Sequence, residues 1–152
     1  MKTYINLLFA SILILFLSTS CLESGLDELP LLDGAEIKNV NFEYRYSIKN
    51  TNGFEKMEYK VLTTTTTFNG TAIDCKVKIP APSGTFTSQI ASQVNLTNIV
   101  GYFDVSLAAV VEPVENSPVL GKIGNFSQPC TYKVTAANGK SANWTLNVSL
   151  AN

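Results

Sequence analysis

Two alternating runs joined by Asn138-Gly139 constrain this chain more than any other feature. Tyr132, Val134 and Ala136 alternate with Lys133, Thr135 and Ala137, and beyond the Asn-Gly pair Trp144, Leu146 and Val148 alternate with Asn143, Thr145 and Asn147. A strand shows successive side chains to opposite faces, so an apolar residue at every second place marks a ribbon with one buried side. Asn and Gly tolerate the positive φ that tight hairpin turns require, and the segment Thr131–Leu150 therefore reads as a β-hairpin. With four residues between Ala137 and Ala142 the loop has room to exceed the minimal two. Tyr132 and Trp144 fall on the same inward face and supply its largest apolar anchors.

The same alternation recurs upstream. Val40, Phe42, Tyr44, Tyr46 and Ile48 alternate with polar residues up to the turn formers Lys49 to Gly53. Met57, Tyr59, Val61 and Thr63 carry the next run with Glu58, Lys60 and Leu62 opposite. The run Thr63–Thr67 extends that strand, since β-branched residues favour extended backbone. Asn69-Gly70 marks a second hairpin that returns through Ile73, Cys75, Val77 and Ile79, until Pro80 and Pro82 end it. The spacing of Phe86, Ile90 and Val94 fits one or two helical turns. Tyr102 to Val111 reads as one strand with Phe103, Val105, Leu107, Ala109 and Val111 on one face, closed at Glu112-Pro113. A turn-rich connection with Pro118, Gly121, Gly124 and Pro129 follows. About six strands with little helix predict an all-β fold, an antiparallel sandwich.

Length and charge bound the rest. A chain of 152 residues has room for one domain beside a targeting segment. The net charge of −1 offers no basic surface for nucleic acid. With no His in the chain, the commonest general base and a common metal ligand are both missing, and Ser/His/Asp or Cys/His sites are excluded in their usual form.

The amino terminus has a different character. Lys2 precedes an apolar run from Ile5 to Leu17, and the small residues Ser18-Thr19-Ser20 lead to Cys21. That is the layout of a secretory signal peptide, and the run is shorter than the roughly 20 apolar residues of a membrane span. The small residues directly before Cys21 resemble the lipobox of bacterial lipoproteins, in the looser form seen in Bacteroidota. The resemblance implies cleavage after residue 20 and a lipid on the Cys21 thiol. Residues 21–36 hold five acids and neither Lys nor Arg. They are expected to form an extended tether. An acidic stretch behind an acylated Cys also resembles the surface-export signal of Bacteroidota lipoproteins, implying a lipid-anchored protein on the outer face of the outer membrane. The expected organisation is a signal peptide over 1–20, a tether over 21–36 and one domain over 37–152.

Asn125-Phe126-Ser127-Gln128-Pro129, then Tyr132-Lys133-Val134-Thr135-Ala136 with Asn138-Gly139, then Trp144-Thr145-Leu146-Asn147-Val148, resemble the closing strands of immunoglobulin-like modules in Bacteroidota surface lipoproteins. Val105 to Pro113 resembles the strand before them. The likeness covers the last third of the chain and implies a single immunoglobulin-like antiparallel β-sandwich. Many members have no assigned activity, so it implies fold and location more than chemistry.

No catalytic residue, metal ligand or cofactor site is expected, because the acids Asp74, Asp104, Glu112 and Glu115 read as solvated charges and no phosphate or calcium loop pattern occurs. Cys75 and Cys130 are candidates for a disulfide that would close a loop of roughly 55 residues and stabilise by about 4 kcal/mol. The alternative is two buried thiols acting as small apolar residues. Tyr102 beside Phe103 sends one ring to each side of a strand, and Phe86 stands in a connection, so these three are the candidate ligand-binding aromatics. The expected function is a non-catalytic binding or accessory module at the cell surface, attached to the membrane through its lipid, with glycan capture as the specific form. The alternatives are a structural or adhesive component that binds an envelope protein and, ranked last, an enzyme.

Overall fold

The computed structural model describes residues 31–151, and the expected signal peptide, Cys21 and the first part of the tether lie outside them. The described chain is nearly all β: β1 (Ile37–Lys49), β2 (Glu55–Asn69), β3 (Ala72–Lys78), the one-turn helix α1 (Ser88–Ala91), β4 (Ile99–Val105), β5 (Val110–Val114), β6 (Ile123–Gly124), β7 (Cys130–Thr135) and β8 (Ser141–Leu150). They form one eight-stranded sheet in the order β5-β7-β8-β3-β2-β1-β4-β6.

β2 is the hinge of the sheet. Its first half, from Glu55 to Leu62, pairs with β1, and its second half, from Thr63 to Asn69, pairs with β3. One strand thus serves two neighbours in succession, and the sheet curls until its inner face meets itself. Phe103 on β4 packs edge-on against Tyr132 on β7 with centroids 4.7 Å apart, although four strands lie between those two in the sheet order. Phe42 meets Phe126 at 5.0 Å in the same interior. Val40, Ile73, Val77, Ile99, Val134 and Leu146 are fully buried around them.

The turns follow from their residues. Gly139 at φ +84° ends a loop closed by Ala136 N–H to the Lys140 carbonyl at 2.8 Å, one residue longer than the minimal hairpin. Asn50–Phe54 repeats this device with Gly53 at φ +80°. Gly70 at φ +61° takes the first place of a two-residue turn.

Several expectations are corrected. The strand foreseen from Tyr102 to Val111 is two strands, because the chain breaks at Ser106–Ala109 with Ala108 at φ +59°. β4 then belongs to one end of the sheet and β5 to the other. Pro113 does not close β5 but lies within it, tolerated because β5 is an edge strand with no ladder partner on one side. The pairing is antiparallel except between β3 and β8, which run parallel, so the fully antiparallel arrangement is not what forms.

The end of the expected tether is docked. Ala35 is buried and its carbonyl accepts the Trp144 indole N–H at 2.9 Å. Glu36 N–H donates to Ser106 Oγ at 3.1 Å, and the Leu32 carbonyl accepts from Asn138 N–H at 3.2 Å. The disulfide does not form: Cys75 and Cys130 are buried free thiols. Cys75 stands opposite Val148 and Cys130 opposite Leu146, on the two flanks of β8. Two strand spacings separate them by about 10 Å, beyond the roughly 7 Å a bridge can span.

Candidate binding face

The outer face of β4, β1 and β2 carries two adjacent rows of different chemistry. The first is polar. Arg45 Nε donates to Glu43 Oε1 at 2.7 Å, Arg45 Nη2 donates to the Tyr102 hydroxyl at 2.5 Å, and that hydroxyl donates to Glu43 Oε1 at 2.6 Å. Period-two geometry puts Glu43 and Arg45 on one side of β1, and the β1–β4 register sets Tyr102 opposite Asn41 beside them. Asn39 Nδ2 extends the row by donating to Asp104 Oδ2 at 3.2 Å. The bond to Glu43 raises the Arg45 pKa, so the guanidinium stays charged; burial, then the bond to Glu43, raises the Tyr102 phenol.

The second row is apolar and exposed. Met57, Tyr59 and Val61 on β2 stand opposite Ser47, Arg45 and Glu43, and are 65%, 64% and 60% exposed. Phe54 in the preceding turn is exposed as well. The residues that carry the apolar alternation of β2 therefore face outward. Leu62 is the buried residue, at 2% exposure, and Glu58 and Lys60 share its side.

The inward side of β2 is sealed by the connection after β3. Thr85 Oγ1 donates to Glu58 Oε2, Lys60 Nζ donates to Ser83 Oγ at 3.0 Å, and the Tyr46 hydroxyl lies 3.1 Å from Thr85 Oγ1. The Thr85 bond, then that from Lys56, lowers the Glu58 pKa and keeps its carboxylate charged.

Of the three candidate aromatics, the structure leaves one on an open face. Tyr102 is half-buried in the polar row. Phe103 turns inward onto Tyr132, and Phe86 is 1% exposed under Tyr46, with ring centroids 5.7 Å apart. Neither can offer its face to a ligand. Tyr59, which is not among those three, is the ring that can. Its orientation was recoverable from Phe68, whose edge meets Trp144 at 6.4 Å: counting back by twos from Phe68 reaches Leu62 and never Tyr59.

A flat phenol beside fixed donors and acceptors can receive a ligand that has both an apolar face and hydroxyl groups. A hollow of about 320 Å³ lies along Lys56, Met57, Glu58 and Tyr59. A second, of about 350 Å³, is bordered by Glu115, Asn116, Asn125 and Gln128 and has no aromatic wall. Among the described residues no group of three or more Cys, Asp or Glu side chains could hold a metal ion.

A family model described as DUF5018-related matches residues 37–147. Among solved structures the chain is similar to that of a putative secreted protein from Bacteroides fragilis, with 31% identity and a TM-score of 0.73 over 81% of this chain and 100% of that one. No curated protein matches the chain.

Proposed function

From the premise that this chain belongs to the DUF5018-related family, we propose that it is a non-catalytic binding module of the cell surface that captures glycans on the outer face of β4, β1 and β2. The observation that carries the reading is Tyr59, 64% exposed and directly opposite Arg45, whose guanidinium is tied to Tyr102 and Glu43. A pyranose ring has an apolar C–H face that stacks on an open phenol, and hydroxyl groups that bond to a pre-set guanidinium and carboxylate. Such pre-set groups lose little freedom on binding.

Address belongs to the same proposal. Lipid on Cys21 would hold the module to the outer membrane, and similarity to a putative secreted protein supports export. An immunoglobulin-like description of the fold is also part of it, supported by two ends of one sheet that face each other across Tyr132 and Phe103. The exposed apolar row favours one second reading, a structural or adhesive component that packs on an envelope protein.

Calorimetric titration of the purified protein with a panel of neutral oligosaccharides separates the two. The expected result is saccharide binding that Tyr59→Ala weakens roughly tenfold, about 1.4 kcal/mol, without lowering Tm. Absence of saccharide binding, or binding indifferent to Tyr59→Ala, overturns the glycan reading. Co-isolation of one envelope protein in its place supports the second.

A further inference from the structure

We propose that two copies of this chain pair edge to edge through the first half of β2, antiparallel and in a register centred on Met57. This goes beyond the ligand reading and does not depend on it.

The edge is open for a definite reason. The β2–β3 ladder stops at Thr63 opposite Lys78, and the next hydrogen-bonded pair would join Val61 to Pro80, which has no N–H to give. On the other side, Asn50 N–H bonds to the Phe54 carbonyl, and alternation from that pair turns the even-numbered residues of β2 toward β1. Glu55, Met57 and Tyr59 therefore point their N–H and C=O groups away from the sheet. Among the described residues no turn or loop backbone satisfies them. The hollow at this place is bordered by the four consecutive residues Lys56 to Tyr59, from both faces of the strand, so it runs along the edge.

Lys56 Nζ already donates to Glu58 Oε1 of its own chain at 3.0 Å, so a second copy adds a cross-copy partner to each of these charges, and that is what selects the occupant and fixes the register. An antiparallel pair sets residues of one face directly opposite each other. Centred on Met57, Lys56 of each copy faces Glu58 of the other, Glu55 faces Tyr59, and Met57 meets Met57. Moved one place to centre on Glu58, the pairing sets Glu58 against Glu58 and Lys56 against Lys60, two like-charge contacts. Centred on Tyr59, it again matches Glu58 with Lys60, but needs Val61, beside which the chain departs at Pro80. An edge of about seven residues buries less than the roughly 800 Å² per partner of a standard interface, so the dimer is weak and concentration-dependent. Edge pairing leaves the outer face open and makes it continuous across both copies.

The test is sedimentation of the full processed protein with charge variants. The expected result is a reversible dimer that Lys56→Glu alone and Glu58→Lys alone each weaken at least tenfold, while an equimolar mixture of the two variants forms a heterodimer. Mild oxidation of Met57→Cys should give a dimer whose cross-link maps to residue 57 in both copies, since Cα atoms of such a pair lie about 5.5 Å apart. Ser47→Cys, one strand further in, should not. A wild-type protein that stays monomeric near 1 mM, or variants that fail to recombine, overturns the proposal.

Discussion

Tyr132 shows how much one side chain can fix. It is fully buried, donates its hydroxyl to the Pro118 carbonyl at 2.8 Å, and is the ring on which Phe103 rests. Burial pushes the phenol far above its ordinary value, with the neighbouring Cys130 adding to the shift. The folded protein keeps a proton that the unfolded chain gives up near pH 10. Its contribution to stability is therefore complete below that pH and falls as pH rises above it. Denaturant titrations from pH 8 to 11 should show wild type losing stability faster than Tyr132→Phe above pH 10. Parallel curves would mean that the phenol is not protected. That Tyr132 and Trp144 anchor the interior was legible from their shared parity around Asn138-Gly139. The burial of Phe86 was not, because a ring in a connection goes wherever the connection is led, and that path is set by contacts such as Thr85 with Glu58 and Tyr46.

Elements were legible where the apolar residues of a strand all lie on one face, as in β1, β3, β7 and β8. β2 fails that condition. Three apolar residues, Met57, Tyr59 and Val61, stand on its outer face, and Leu62 on its inner one. A count of apolar positions chooses the wrong side, while the shared parity of Leu62 and Phe68, six residues apart, chooses the right one. Leu62→Ala should accordingly cost about 2–5 kcal/mol in chemical denaturation, as buried leucines do. Val61→Ala, one residue away, should stay within about 0.5 kcal/mol. Equal costs would contradict the orientation of the strand. β4 and β5 were merged for a related reason: the reversal at Ser106–Ala109 contains neither Gly nor Pro, and nothing in its composition announces the positive φ of Ala108.

At the scale of the whole molecule, the all-β class could be read from alternation alone, but the strand order could not. Period two says which side of a strand is wet and nothing about which strand lies beside it. The parallel contact of β3 with β8 and the transfer of β2 between two partners follow from that order. So does the separation of Cys75 from Cys130 by β8. The curl leaves the outer face of β2 both apolar and open, and the proposed glycan face and paired edge both lie there. Hydroxyl-radical footprinting of the native protein, read residue by residue by mass spectrometry, tests this most directly. The account predicts rapid modification of Met57 and Tyr59 while Tyr132, Phe86 and Leu62 stay protected; protection of Met57 and Tyr59 together with labelling of Leu62 would contradict it.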